Sequence, residues 1–580
     1  MRSNVGSWAS PVTRAGLWGV GLLLSLSLFM GIQDLPLRDF REVRFAEVGW
    51  EMLETGDWIV PHINGSPYLN KPPMVGWLVA FSMKVLGKNE LAARLPNAVA
   101  TLGTALFVGW LVYMMVGPPW AILGAALYLG TPGAQYYGRM LSSDVVGIFF
   151  MSGALASFCK GLMDGRRTYH LLGFALCAMA VLSRGLAGAL YPLGALLVFL
   201  VVLERRKFQE VPWLMGLVIF FGISLPWFLA VEFKQPGFLS HHFLQQQLQR
   251  VASGGGSPFV ALPHWEIFLG FLGFLGPLAL LLPWAGSITR SKGNIRGFLW
   301  IYVLLVLGSV ALSAGRNQPY TLPALAPLVA LVGAWLAQPG RVAYAWGASL
   351  LLAGLGVASA AGVFVTEEIL ERIWKDLARP ELLSRVQICM AMVALLMGIS
   401  AYFMVKGKRW ASAMLVGAVM LPGGWMLSLV QGAMAPVESR RDLAVWVFEN
   451  VPKQWPLVLV DPTDRQFEGT AGWSFYSGRR VLMVRFQDKT EIRAQAPRLP
   501  IWIISMEEFL EMMGSGKALA LAATPKGIEL LNISGLPPPV AADGKFQLWK
   551  LAPKEQEKEP SATSRHTGRT SSSITCVQEG

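Results

Sequence analysis

The chain has 580 residues, 53% hydrophobic and 15% charged, with a mean hydropathy of +0.46. Soluble globular proteins carry about 25% charge, so the composition excludes a water-soluble enzyme and predicts a polytopic α-helical membrane protein. The formal net charge of +13 does not indicate nucleic acid: the basic residues form short clusters between apolar runs, where membrane topology explains them.

A spanning helix needs about 20 mostly apolar residues. The first run, near 15–33, has the position of a signal peptide but lacks a small-residue cleavage site, so it is expected to stay as the first helix. Further windows lie near 95–116, 118–134, 144–162, 168–184, 187–203, 211–231, 263–284, 297–313, 320–337, 343–364, 386–405 and 410–430. That makes thirteen spans. The apolar stretch 73–87 is shorter and carries Lys84. If it lies on the membrane instead of crossing, Arg14, Arg166, Arg167, Arg205, Arg206, Lys207, Arg296, Lys406 and Arg409 all face one side, as the positive-inside rule requires of the cytoplasm. The loops 34–94, 135–143, 232–262, 314–319 and 365–385 then face outward.

The first of these loops is dense in charge. Val43, Ala46, Trp50 and Leu53 share one face of a helix over 40–54, and Glu47, Glu51 and Glu54 another, which predicts an amphipathic helix on the bilayer surface with a solvated acidic face. Asp39 and Glu42 have the spacing of a capping box, and Gly56 suits the helix end. Asn64–Gly65 and Ser66–Pro67 make turns, after which Lys71 stands before Pro72–Pro73 in extended backbone. On the same outer side, "GRMLSSDVVG" brings Arg139 and Asp144, "LSRGLAG" brings Arg184, and "SAGRNQPYTLPA" brings Arg316 and Tyr320. Charges at membrane depth are costly and mark sites. Cations converging at one interface suit the phosphate of a lipid whose tail lies in the bilayer. Each residue also has a plainer use. Asp144 after two serines suits a helix cap, Asp39 suits a cap, Lys71 suits an interface anchor, and the arginines suit interhelical pairing.

His241, His242 and His264 lie in outer segments without a well-spaced carboxylate partner and are expected to be interface polar residues. "SGGGS" at 253–257 lacks the lysine of a phosphate-binding loop, and the loop 232–262 suits a lid. Cys159, Cys177 and Cys389 lie in apolar segments, Cys576 lies near the C-terminus, and no metal-type spacing occurs. After about residue 432 the composition changes. "LVLVDPTD" at 457–464, "FYSGRRVLMVRF" at 475–486 and "PIWIISMEEFLEMM" at 500–513 predict strands with turns or helices, and "RRDLAVWVFENV" at 440–451 predicts a helix. The expected organisation is a transmembrane domain over 1–432, a small extracytoplasmic α/β domain over 433–553 and a disordered tail over 554–580.

The run "REVRFAEVGWEMLETGDWIVPHINGSPYLNKPP" resembles the first-loop signature of bacterial aminoarabinose transferases and their protein O-mannosyltransferase-like relatives, which are C-type membrane glycosyltransferases. "RMLSSDVVGIFF", "AVLSRGLAGALYP" and "GRNQPYTLPALAPL" continue the resemblance over about residues 10–340. It implies an inverting glycosyltransferase of the cytoplasmic (inner) membrane, with its active site and C-terminal domain facing the periplasm. The sugar would pass from a polyprenyl-phosphate-linked donor to lipid A, a protein or a cell-surface glycan. No resident cofactor is implied, since the donor is a co-substrate, and a divalent metal is left open. Membrane lipid is an expected partner, nucleic acid is not, and the oligomeric state is open. Within that reading Lys71, Arg139, Arg184, Arg316 and Tyr320 bind the donor phosphate. Asp144, Glu42 and Asp39 are the candidate catalytic acids, and Arg44 and Glu47 support the site. Two departures stand out: Arg41 replaces the signature's leading Asp, and Asn70 its Glu before the lysine. They keep open a lapsed lipid-glycan binder beside the enzyme. A lipid-linked sugar transporter or flippase is the further alternative, disfavoured by charges gathered at one interface.

Overall fold

The computed structural model describes residues 11–551, apart from 39–40, 241, 244–262, 287–293, 338–341, 374–379, 407–408, 420, 427–428, 430–431, 433–438, 463–468, 486–501, 534–535 and 544. Asp39, His241, the "SGGGS" stretch, Cys576 and the C-terminal tail therefore lie outside the described residues.

Each of the thirteen apolar windows contains a helix. In chain order the membrane part begins with α1 (Pro11–Ser27), the first-loop helices α2 (Val43–Thr55) and α3 (Met74–Leu86), α4 (Glu90–Val116), α5 (Pro119–Leu129), α6 (Pro132–Gly138) and α7 (Ser143–Asp164). It continues with α8 (Arg167–Arg184), α9 (Ala187–Val202), α10 (Trp213–Lys234) and helices at His264–Ala285, Ile295–Leu312, Gln318–Ala337, Val342–Ile373, Pro380–Val405 and Arg409–Ala418. Among the described residues seven are long and apolar enough to cross a membrane. The chain is thus a polytopic helical membrane protein. The α7 window is 83% buried and that of Gln318–Ala337 89%, against 28% for α10. The first two are therefore central and α10 presents most of its surface to lipid. Small residues let the central helices approach closely. A Cβ on Gly188 of α9 would lie 2.4 Å from the backbone of Ala180 in α8.

The first loop departs from its expected form. Gly56, at φ 71°, ends α2 by donating its N–H to the Met52 carbonyl. Asn64 and Gly65, at φ 53° and 76°, make the tight turn between β1 (His62–Ile63) and β2 (Ser66–Pro67). Glu47 and Glu51, however, are buried, 2% and 6% exposed, and not solvated. The Asp39 half of the expected capping box lies outside the described residues; Glu42 occupies the cap position of α2 without a side-chain cap bond, and its carboxylate accepts the Arg38 N–H at 3.2 Å.

What buries those acids is the C-terminal α/β unit over the described part of 439–551. Its sheet runs in the order β5 (Ile503–Ser505), β4 (Val481–Arg485), β3 (Leu457–Val460), β6 (Leu519–Ala523), β8 (Gln547–Leu551), β7 (Ala541–Ala542). The first four strands are parallel and β8 pairs antiparallel with β6. Along β3 the side chains alternate. Leu457 and Leu459 pack with the helices Arg441–Asn450 and Thr470–Ser477, and Val458 and Val460 with Met506–Gly514 and Pro525–Leu531. The unit docks on the first loop through the Asn64 side chain, which donates to the Val481 carbonyl at 2.8 Å and accepts the Val481 N–H at 2.9 Å. Tyr476 adds a bond from its hydroxyl to Glu90 at 3.2 Å and accepts the Leu37 N–H at 2.8 Å.

Candidate functional site

Glu42 is buried to 1% exposure and fully engaged. Its carboxylate receives Arg94 Nε and Nη2, each at 2.9 Å, the Leu141 N–H at 2.8 Å and the Arg38 N–H. Arg94 in turn donates to the carbonyls of Ile32, Leu35 and Pro36. Burial alone would raise the Glu42 pKa, but Arg94 and the backbone donors hold it below the usual carboxylate value. A carboxylate so committed is a poor proton acceptor. Glu42 thereby joins the segment after α1, the start of α2, α4 and the loop before α7, which is scaffold work. Arg94 went unremarked in the sequence because it sits at the edge of an apolar window.

Three expected site residues meet at the mouth of the central helices. Ser142 caps α7, its hydroxyl accepting the Asp144 N–H at 3.1 Å. The cap is therefore filled by serine, and Asp144 is left to pair with Arg184 Nε at 3.1 Å, their side chains 17% and 6% exposed. Gly147 makes room for this arginine, since a Cβ there would sit 3.1 Å from the Arg184 Cβ. On its other side the guanidinium lies 6.0 Å from the Tyr320 ring centroid, and Nη2 reaches the Pro319 carbonyl at 3.5 Å. Arg184 Nη1 is buried without a hydrogen-bond partner among the described residues. A preoriented guanidinium with an uncommitted N–H is suited to grip an anion.

The other expected residues are placed as follows. Lys71 is half-buried, immediately ahead of α3, which packs on α7 and α8. Arg316 donates to the Ser313 carbonyl of its own turn at 2.9 Å. Arg139 turns toward the end of α1 and donates to the Met30 carbonyl. Burial, and then the Arg94 charge, push it down to about 10. Through its bond to Met30 it ties the loop before α7 to the segment after α1. Arg44 lies over the Phe45 ring at 4.9 Å. Tyr137, which sequence reasoning missed, lies within electrostatic range of Asp144, Arg41 and Arg38. The adjacent tyrosines of "QYYGRM" beside Arg139 were the available signal. Arg41 is exposed. His242 and His264 contact the carbonyls of Leu69 at 3.3 Å and Ala311 at 3.0 Å. Among the described residues no three His, Cys, Asp or Glu side chains come together as metal ligands.

Glu47 belongs to the docking interface. It accepts a bond from the Ser474 hydroxyl of the α/β unit and neighbours Glu51, which accepts the Gly65 N–H at 3.0 Å. Burial, reinforced by the Glu51 charge, pushes Glu47 up to about 8. Lys88 tempers this from between the Trp50 and Phe475 rings, 4.6 Å from each centroid.

Fold and site together describe a polytopic helical membrane protein in which Asp144, Arg184 and Tyr320 meet at the mouth of the central helices. Residues 70–228 match the family model described as dolichyl-phosphate-mannose-protein mannosyltransferase. The chain is 27% identical over 460 residues to the undecaprenyl phosphate-alpha-4-amino-4-deoxy-L-arabinose arabinosyl transferase of Edwardsiella ictaluri, covering 74% of the chain and 81% of the relative. It is 30% identical to the enzyme of the same name from Pectobacterium atrosepticum over 307 residues, 51% of the chain and 54% of the relative. The chain thus spans most of the first relative and about half of the second. Its fold is similar to crystal structures of ArnT from Cupriavidus metallidurans, bound to undecaprenyl phosphate (TM-score 0.78, 20% identity, 92% of this chain and 96% of that one) and in the apo state (TM-score 0.79, 19% identity, 92% and 97%). These matches bear out the first-loop resemblance: the chain is similar to the aminoarabinose transferases and to the mannosyltransferase family model.

Proposed function

We propose that the chain is an inverting glycosyltransferase that moves a sugar from a polyprenyl-phosphate donor to an acceptor at the outer face of the inner membrane. Thirteen crossings would set the first loop, the site and the α/β unit together on that face. The observation that carries the reading is Arg184, held at Nε by Asp144 and stacked near Tyr320, with Nη1 uncommitted. In the reaction an acceptor oxygen attacks the anomeric carbon from the face opposite the phosphate. The sugar–phosphate C–O bond breaks and its electron pair departs on the phosphate. Arg184 stabilises that growing charge, with Lys71 and Arg316 as further cations. Asp144 orients Arg184.

The carboxylates support a particular acceptor. Position 41 is Arg, Glu42 is bound on every side, and Asp144 is paired. An acceptor whose oxygen is already ionised, such as a lipid A phosphate, needs no general base, and exposed Arg41 would attract it. The test is transfer by purified protein from undecaprenyl-phosphate sugar to phosphorylated and dephosphorylated lipid A. Transfer is expected to the phosphorylated form alone. Arg184→Ala is expected to lower turnover by about 10²–10³-fold, as for loss of one preorganised donor, and Arg184→Lys to restore part of it. Wild-type turnover in Arg184→Ala would end the assignment. Arg41 also favours a second reading, a lapsed lipid-glycan binder. A silent parent that gains transfer as Arg41→Asp would establish that one.

A further inference from the structure

The segment that ends α10 grips the hairpin leading to Lys71 at both of its ends. At the near end Trp227 Nε1 donates to the Ile59 carbonyl at 2.8 Å, and Lys234 Nζ sits 3.1 and 3.2 Å from the two Asp57 carboxylate oxygens. Asp57 itself accepts the N–H groups of Ile59 and Val60, so the ion pair is tied into the loop backbone. The chain then reverses. Glu232 accepts the N–H groups of Gly237 and Leu239 at 2.8 and 2.7 Å, which folds the following residues back over α10. Phe238 packs on Trp227 and Phe228 with centroids 5.5 and 6.2 Å apart. This reversal delivers His242, 2% exposed, to the far end of the hairpin, with Nδ1 3.3 Å from the Leu69 carbonyl.

Leu69 lies two residues before Lys71, roughly 7 Å of chain. Beyond Lys71, Pro72 and Pro73 fix the backbone and α3 begins. The Lys71 backbone is therefore bounded by α3 on one side and by a carbonyl held from α10 on the other. We infer that His242 is a positioning residue for Lys71. Resting on the donor-phosphate reading above, the α10 segment sets where the lysine meets the polyprenyl phosphate.

The substitutions separate position from packing. His242→Phe keeps a ring against Phe228 and Phe238 but removes the contact with Leu69. His242→Asn restores an N–H at about the Nδ1 position. The probe is undecaprenyl phosphate alone, titrated into the full chain in detergent. His242→Phe is expected to weaken binding about tenfold, the worth of one hydrogen bond, while His242→Asn stays within about threefold of wild type. In a Lys71→Ala background, itself weakened, His242→Phe is expected to add less than about twofold, because its effect runs through the lysine. Lys234→Gln loosens the other end at a half-exposed position and is expected to weaken binding about two- to fourfold with folding intact. Wild-type binding in both His242→Phe and Lys234→Gln, with Lys71→Ala still weakened, would overturn the inference and leave the donor reading standing. Equal losses from His242→Phe with and without Lys71 would also overturn it. Wild-type binding in Lys71→Ala would retire Lys71 as a phosphate ligand, and this inference with it.

Discussion

The docking of the α/β unit should weaken as pH rises, and Glu47 sets the range. In the docked protein its carboxyl is pushed from 4.5 up to about 8, first by burial and then by Glu51. Released from the interface it regains water and an ordinary value. Between about pH 4.5 and pH 8 the docked state thus holds a proton that the released state gives up, so stability falls as pH rises through that window and falls no further above it. The slope cannot exceed about 1.4 kcal/mol per pH unit. The whole effect has a ceiling on the order of 5 kcal/mol, and sharing of charge with Glu51 and Lys88 brings it to on the order of 3 kcal/mol. Lys88, lowered by the same burial, acts in the opposite sense toward alkaline pH. Hydrogen exchange of residues 470–485 in the purified protein, followed from pH 5 to 8.5 and corrected for intrinsic rates, reads the docking free energy. Wild type should lose protection with rising pH, and Glu47→Gln, neutral throughout, should give a clearly shallower profile, its residual slope coming from Glu51, which burial also raises. A flat wild-type profile, or an equal slope in Glu47→Gln, would refute the reasoning.

Two further outcomes follow from buried groups. Glu42→Gln or Arg94→Ala strands one partner of an ion pair at 2.9 Å in an interior site and should destabilise by about 3–5 kcal/mol. Thermal unfolding in detergent checks this, and a loss of activity without loss of stability would return Glu42 to a catalytic role. Asn64→Gly keeps the positive φ but deletes both bonds to Val481. It should cost roughly 1–3 kcal/mol, read as faster exchange at residues 481–483.

The membrane part was legible because its signal is local. An apolar window carries its own evidence, and each one holds a helix. The Asn64–Gly65 turn and the Gly56 helix end were readable for the same reason, since each needs only the conformational preference of its own residues. Strand β3 and the helix Arg441–Asn450 likewise announced themselves by composition. The acidic face of α2 was misread because amphipathic spacing tells which residues share a face and not what covers it. Ser474, which covers Glu47, is 427 residues away. The setting of Glu42 was hidden in the same way: its spacing from Asp39 suggested a cap, while its partner Arg94 looked like the charged fringe of a span. Asp144 and Arg184 were found as charges at membrane depth. That they pair through Nε and leave Nη1 open depends on a glycine at 147, whose meaning appears only when α7 and α8 are placed together.

The hairpin of the first loop has little to hold it by itself. Its two strands are two residues each, and an isolated hairpin is marginal at best. Its order comes from outside: Arg94 beneath, the α/β unit above through Glu47 and Asn64, and the α10 segment at the side through Asp57 and Leu69. The Asp144–Arg184–Tyr320 group, in contrast, is built on the ends of packed central helices and needs none of these supports. The cations proposed for one phosphate thus come from two mechanical bodies. Arg184 is fixed by the helix bundle, whereas Lys71 is set by α3, which packs on that bundle, on one side and by the docked hairpin on the other. Damage to the α/β unit or to α10 should therefore act on the lysine side of the site and spare the arginine side, although neither support contributes a group to the Asp144–Arg184–Tyr320 cluster.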